Sequence, residues 1–240
     1  KQKTAYESSL GLVGSEMCIR DSTTSANILA DDVWTTGASF ADIDNDGDLD
    51  LYVCVFEGSN LLFINQGDGT FKEQAKTAGV DYKGPSVMVA FSDYDRDGDL
   101  DAYLLPNSRK TSEVITRMQE IRQKVVAKKG NDPLVRGPNG QVIDIRPELK
   151  DVMHLIRAGQ NIMIAPRGEK DRLYRNEGNG TFRDVTQSCG INDTDFGLSA
   201  TWWDYNNDHW PDVYVANDFM GSDRLYRNNQ DGTFTDVISQ

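Results

Sequence analysis

Histidine and cysteine are scarce in this 240-residue chain, which has 2 His and 3 Cys. Ser/His/Asp, Cys/His and paired-His catalytic arrangements therefore have almost nothing to draw on, and zinc or copper would lack their usual ligands. Cys18 lies in an opening stretch expected to fall outside the fold, and Cys54 and Cys189 are too few for a disulfide framework. Cys54 lies in the apolar run LYVCVF, where a buried free thiol is expected. Long apolar runs are missing too: none approaches the roughly 18 residues that cross a bilayer as a helix, and no charged-then-apolar leader opens the chain. Basic residues are outnumbered, 25 Lys plus Arg against 38 Asp plus Glu, for a formal net charge of -13. Phosphate backbones repel such a chain, so the composition argues against nucleic acid as a partner and points to bound cations.

The opening stretch KQKTAYESSLGLVGSEMCIRDS, Lys1–Ser22, begins without Met and resembles translated sequencing-adaptor read-through. It is expected to lie outside the fold, with any export signal upstream of it. The remainder of the chain is repetitive. An acidic motif reads FADIDNDGDLDLYV from Phe40, FSDYDRDGDLDAYL from Phe91 and WWDYNNDHWPDVYV from Trp202. A companion reads NLLFINQGDGTF from Asn60, DRLYRNEGNGTF from Asp171 and DRLYRNNQDGTF from Asp223. Asp42 to Asp93 is 51 positions and Asn176 to Asn228 is 52, whereas Asp93 to Asp204 is 111. The period is thus about 50 residues, with an insertion of about 60 at roughly Ser108–Arg167.

Short Val-, Phe-, Tyr- and Leu-rich runs between Gly and Asp clusters read as strands and turns. The expected fold is all-β, a partial β-propeller with a helical insertion. About 50 residues per unit suits one blade, and three units fall short of the roughly four to eight that close a ring. In domain terms, residues 23–107 carry metal loops 1 and 2, 108–167 are the insertion, and 168–240 carry loop 3 in a truncated array. In the insertion, the stripe Val114, Met118, Ile121, Val125, closed by Lys128, Lys129 and Gly130, predicts one helix. Leu149, Val152, Met153 and Ile156, with Pro147 before and Gly159 after, predict a second. His154 falls on that second helix as an ordinary surface residue. The insertion holds 12 Lys plus Arg and 6 Asp plus Glu. It is either a partner-binding element or lid, or a helical cover whose charge complements the acidic units.

The acidic loops want a hard cation. Asp42, Asp44, Asp46 and Asp50 stand at positions 1, 3, 5 and 9, with the Asp48 carbonyl at position 7 and Gly47 giving the bend at position 6. Calcium takes about six to eight oxygen ligands. Loop 2 repeats the set with Asp93, Asp95, Asp97 and Asp101, Asp99 for the carbonyl and Gly98 for the bend. Loop 3 has Asp204, Asn206, Asp208 and Asp212, with Trp210 at the carbonyl position and His209 replacing Gly. It has one ligand charge fewer and a bend residue less tolerant of positive φ, so its binding is expected to be weaker. An EF-hand is excluded, because position 12 is Val53, Leu104 or Val215 rather than Glu and the flanks are strand-like. Crowded carboxylates at alternate positions repel one another unless a cation intervenes. The three loops hold 13 Asp, as many as the net charge excess. Asn65, Asn176 and Asn228 open Gly-rich hairpin turns, and Phe71, Phe182 and Phe234 are expected core anchors. Trp203 is expected to pack, in preference to presenting a flat surface to a sugar or partner.

These interleaved motifs resemble the FG-GAP or VCBS-type repeats of integrin-like propellers, particularly the bacterial cartilage-acidic-protein-like (ASPIC/UnbV) group, over about Ala30–Gln240. The resemblance implies a seven-bladed propeller with calcium at these loop positions, an extracellular location and a role in adhesion or ligand display. His209 and the long insertion depart from the pattern. The expected function is a non-catalytic, calcium-binding extracellular scaffold for a protein or carbohydrate ligand. The alternative is a propeller module of a secreted lyase or hydrolase acting on polysaccharides, in which displaced carboxylates or Lys converge in a pocket. Millimolar extracellular calcium suits weak sites better than the cytosol does, so the expected location is extracellular, cell-surface or periplasmic.

Overall fold

A computed structural model describes residues 23–107, 116, 119–120, 133–150, 153–158, 161–218 and 221–238. Alternation of β-branched and aromatic residues with small or polar ones gives sixteen strands in them. The first four are β1 (Thr35–Ala41), β2 (Asp50–Ser59), β3 (Leu61–Asn65) and β4 (Phe71–Glu73), which pair as a consecutive antiparallel meander. The second unit is split in sequence: β5 (Lys83–Ser92) and β6 (Asp101–Pro106) precede the insertion, while β11 (Arg172–Asn176) and β12 (Phe182–Asp184) follow it. β6 nevertheless pairs directly with β11. The third unit is β13 (Gly197–Trp203), β14 (Asp212–Asn217), β15 (Arg224–Asn228) and β16 (Phe234–Asp236).

The repeat read from sequence is therefore a structural one. The first strand of every unit carries a register shift at the same place, Thr35/Gly37, Ser86/Met88 and Gly197/Ser199. β2 extends past its own unit to pair with β5, which joins the first two units into one curled antiparallel sheet. The third unit is a separate four-stranded sheet.

Adjacent units share their cores. One cluster joins Tyr52, Cys54 and Leu62 of the first unit to Val89, Leu104 and Phe182 of the second. The next joins Tyr103, Leu105 and Cys189 of the second unit to Ala200, Val213 and Phe234 of the third. Leu104 and Leu105 are both fully buried, on opposite faces of β6, so one strand feeds two cores. Each such leucine contributes about 1.5–3 kcal/mol. Cys54 and Cys189 are free and buried, and burial pushes the Cys54 thiol up to about 12, which suits packing rather than reactivity. Phe182 and Phe234 are core residues as expected, but Phe71 is only half-buried.

The insertion differs from its expected form. The stripe from Val114 to Val125 lies outside the described residues, apart from Thr116, Gln119 and Glu120, which are helical. The second predicted helix is absent. Pro147–Leu149 is a single 3-10 turn, and Met153–Ala158 is a strand, β9, paired with β10 (Asn161–Pro166). A shorter hairpin, β7 (Leu134–Arg136) with β8 (Val142–Ile145), precedes them. The helical spacing of Leu149, Met153 and Ile156 is coincidental. Met153 and Leu155 alternate with period two onto a small core of Ile145 and Leu149, and pairing with β10 satisfies the backbone.

Candidate metal centres

Each acidic loop bridges the first two strands of a unit, β1–β2, β5–β6 or β13–β14. In loop 1 a carboxylate oxygen from each of Asp42, Asp44 and Asp50 lies within 4.8 Å of the others; Asp93, Asp95 and Asp101 do the same in loop 2. The bend glycines adopt left-handed backbone, φ 93° at Gly47 and 97° at Gly98. That turn aims the Gly47 N–H at Asp42 Oδ2 and the Gly98 N–H at Asp93 Oδ2, both at 3.1 Å. Asp46 and Asp97 lie outside the triads; Asp46 Oδ1 accepts from the Asp48 N–H at 2.9 Å and Asp97 Oδ1 from the Asp99 N–H at 3.0 Å. The Asp99 side chain turns away to accept from Asn45 at 2.7 Å, which leaves its carbonyl for the role expected at position 7.

The ninth position anchors the site. Asp50 and Asp101 are fully buried. Asp50 accepts from the Ile43 and Asn65 backbone N–H groups at 2.9 and 2.8 Å, and Asp101 from those of Tyr94 and Asn176 at 3.1 and 2.8 Å. Burial nevertheless pushes the Asp101 carboxyl up to about 8, opposed by those N–H groups and assisted by the charges of Asp95 and Asp97. Asp44 and Asp95 are raised by burial and then by the neighbouring acids Asp46 and Asp97. Asp93 Oδ1 and Asp95 Oδ1 are buried with no hydrogen-bond partner. Orphaned oxygens among mutually repelling carboxylates fit a hard divalent cation, which would satisfy them and lower all these pKa values together.

Loop 3 keeps the frame with one carboxylate fewer. Asp212 is buried and accepts from Tyr205 N–H at 3.2 Å and Asn228 N–H at 2.7 Å. Asn206 stands where loops 1 and 2 have Asp44 and Asp95, and its amide donates to Asp208 Oδ2 at 3.0 Å. His209 has φ 71° and its N–H reaches Asp204 Oδ2 at 2.8 Å, so it serves as the bend residue. The Trp210 N–H donates to Asp208 Oδ1 at 2.9 Å, and its ring lies under the Arg96 guanidinium of loop 2 at 5.3 Å.

The companion motif builds the centre, a role its sequence did not reveal. Besides the backbone bond to the ninth-position Asp, the Asn176 amide donates to the carbonyls of Ile43 at 2.9 Å and Leu100 at 3.3 Å, one in loop 1 and one in loop 2. Asn228 repeats this with Tyr94 at 2.8 Å and Pro211 at 3.1 Å. Each of these two asparagines thus ties the metal loop of its own unit to that of the preceding one. The regular recurrence of Asn before every Gly turn was the available signal.

An FG-GAP-like repeat pattern matches residues 42–104, 160–215 and 204–240, more than half of the chain. The chain belongs to the FG-GAP-like repeat family. No curated protein matches it. Among solved structures it is similar to one described as the structural basis of specific recognition of non-reducing terminal N-acetylglucosamine by an Agrocybe aegerita lectin. The identity is 16% and the TM-score 0.25, covering 85% of this chain and 52% of that one. The chain thus spans about half the length of that protein.

Outside its metal loops this FG-GAP-like repeat protein has a second ionic centre that sequence reading missed. Asp171, Asp193 and Asp195 are all buried. Arg224 reaches Asp195 Oδ2 at 2.8 Å, Asp193 Oδ1 at 3.6 Å and Asp236 Oδ2 at 3.2 Å. Asn217 donates to Asp193 at 2.7 Å, and the Tyr103 hydroxyl to Asp171 at 2.7 Å. His154 is not ordinary surface: β9 presents its Nδ1 3.0 Å from Asp195 Oδ1, with the side chain 15% exposed. Burial raises the Asp195 carboxyl, but His154 and Arg224 outweigh it and hold it below the usual range. Asp171 is raised well above that range by burial and by Asp193. No local pattern joins these residues, because they come from the insertion, the segments before β11 and β13, and the four strands β6, β14, β15 and β16.

Proposed function

We propose that the chain forms blades of a calcium-stabilised, integrin-like β-propeller of the cartilage-acidic-protein-like (ASPIC/UnbV) group. It acts outside the cytoplasm, extracellularly, on the cell surface or in the periplasm, as a non-catalytic scaffold for adhesion or for a protein or carbohydrate ligand. The observation that carries the reading is the pair of Asp triads, each with ligand oxygens within 4.8 Å of one another. Two further features support it. The ninth-position carboxylates are buried on backbone N–H donors, which suits a fixed ligand shell. The units share cores along a repeating strand order, as propeller blades do. Three carboxylates converging on one point serve a cation better than the separated acid and base of a hydrolase.

Calorimetric titration of chelator-treated protein with calcium is the test. Two equivalents should bind at loops 1 and 2, and a third more weakly at loop 3. Absence of binding heat, together with a melting temperature indifferent to chelator, overturns the reading. Surface labelling of intact cells that express the natural gene tests the location.

A further inference from the structure

Each junction between units holds a cleft, and the two clefts are lined by corresponding residues. The first, about 520 Å³, lies between loop 1 and the companion turn of the second unit; the second, about 420 Å³, lies between loop 2 and the companion turn of the third. The repeat spacings of 51, 52 and 111 pair them position by position. Ile43 and Asp44 of the first answer to Tyr94 and Asp95 of the second, and Thr77 to Ser188, so the frame is the same at both junctions. The walls differ. Where the first cleft has Ile64 and Asp99, the second has Arg175 and Trp210, and Arg183, which stands in the place of Lys72, joins its lining. In a chain of net charge -13, that exchange puts two guanidiniums and an indole into one cleft. Trp203, the indole expected to pack, is instead 68% exposed and lines neither cleft.

The two arginines already hold a carboxylate. Glu177 accepts from Arg175 at 3.0 Å and from Arg183 at 2.8 Å, and these bonds keep its carboxyl below the usual range. Glu177 engages Nε and Nη2 of Arg175 and Nε of Arg183. Nη1 and Nη2 of Arg183 are left without a partner among the described residues, and Arg175 Nη1 has only Asp95 Oδ2, at 4.0 Å. Acceptors stand beside these donors. On the turn of the third unit, Asp231 Oδ1 accepts from the Thr233 N–H and hydroxyl, and the Gln230 side-chain amide donates to Asp208, which leaves Asp231 Oδ2 and Gln230 Oε1. The cleft therefore suits a ligand with a carboxylate, several hydroxyl donors and a flat face for the indole.

We propose that the cleft between the second and third units binds a uronic acid residue of an acidic polysaccharide. Its carboxylate meets Arg183 and Arg175, its hydroxyls meet Asp231 and Gln230, and its ring lies against Trp210. An acidic peptide would match the arginines but brings few donors for the acceptors beside them. The first cleft, with Ile64 and Asp99 at the corresponding positions, lacks the groups for such a ligand. The inference rests on the reading of the chain as a ligand-binding scaffold and narrows its ligand to one chemical class.

Calorimetric titration of the 240-residue chain with trigalacturonate tests this. Calcium is kept present, because Asp95 lines the cleft and its charge opposes a carboxylate unless a cation cancels it. One equivalent should bind, and the methyl-esterified trimer should bind about tenfold more weakly or worse. Arg183→Gln, at an exposed position, and Arg175→Ile, which installs the residue of the first cleft, should each weaken binding about tenfold or more. Lys72→Gln, at the exposed position that corresponds to Arg183 beside the first cleft, should leave binding unchanged. Equal weakening by Lys72→Gln and Arg183→Gln, equal affinity for the ester, or a triglutamate peptide that binds as tightly as the sugar overturns the proposal. Protein that binds calcium but not the trimer overturns it too and leaves the calcium-stabilised scaffold standing, whereas protein that binds neither overturns both.

Discussion

The Asn176 backbone N–H donates to Asp101 Oδ1 at 2.8 Å across 75 residues of sequence. The long insertion is thus spliced into a unit whose metal loop and companion turn still close on each other. The same asparagine's side chain bonds the Ile43 and Leu100 carbonyls, so one residue holds two metal loops and a junction between units. Asn176→Ala leaves two loop carbonyls without their donor and should cost about 1–3 kcal/mol of stability. Urea unfolding in calcium measures that loss, and calorimetry should show weaker binding at loops 1 and 2 together. Asn65→Ala, which breaks one side-chain bond to a carbonyl of its own unit, should cost less. Equal losses in the two variants would contradict the bridging role.

Ligand charge should order the three loops. Asp95→Asn removes a carboxylate whose Oδ1 is buried and without a hydrogen-bond partner, and it should reduce calcium affinity at loop 2 by at least tenfold. Asn206→Asp places a carboxylate at the third position of loop 3, as in loops 1 and 2, and should strengthen that site. Calorimetric titration of each variant reads both effects. If Asn206→Asp leaves the third binding event unchanged, ligand charge does not govern affinity there.

The parts of this protein legible in sequence are those set by local chemistry. Asp at alternate positions, Gly at the bend and Asn before the turn fix the loops within a dozen residues each, and the structure brings Asp42, Asp44 and Asp50 together as their spacing implies. The insertion is misread from sequence because Leu149, Met153 and Ile156 satisfy a helical period while Met153 and Leu155 satisfy a strand's alternation equally well. The choice between them rests on β10, whose pairing with β9 no local pattern announces. The Asp193–Asp195–Arg224–His154 cluster is invisible for a related reason: its members meet only once the units have stacked. Trp203 falls between the two cases, since its repeat equivalents are Ala41 and Ser92 and give no precedent for an indole.

The buried loop carboxylates make metal-free stability depend on pH. In the folded chain the Asp101 carboxyl keeps its proton up to about 8, chiefly through burial, whereas the unfolded chain releases it near the ordinary carboxylate value of about 4. Between those values the native state binds more protons than the unfolded state, so stability falls as pH rises through that window and the loss is complete above about pH 8. Asp50 and Asp212, also raised first by burial, act in the same direction. Calcium must displace these protons, so its affinity should rise with pH across the same range. Differential scanning calorimetry should therefore find metal-free protein melting higher at about pH 6 than at about pH 8, and calcium raising the melting temperature more at the higher pH. A calcium-induced gain that is the same at both pH values would show that these carboxylates do not meet the ion.

Arg224 is the sole cation in direct contact with Asp193 among the described residues, and it shares Asp195 with His154. Replacing it with an apolar residue of similar length, Arg224→Met, leaves two buried carboxylates facing each other with Asn217, His154 and the Asp195 backbone N–H, which donates to Asp193 Oδ1 at 3.0 Å, but no guanidinium to compensate. Breaking one side of a buried ionic cluster costs about 3–5 kcal/mol, far more than loss of a surface pair. His154→Leu should cost less, since Arg224 remains. It also removes the contact that holds β9 against the segment leading into β13, so the β9–β10 hairpin should become more open to exchange while the metal loops stay protected. Hydrogen exchange read peptide by peptide separates the two effects. If the hairpin in His154→Leu exchanges as slowly as in the parent, the Asp195 contact is not what docks the insertion on the repeats.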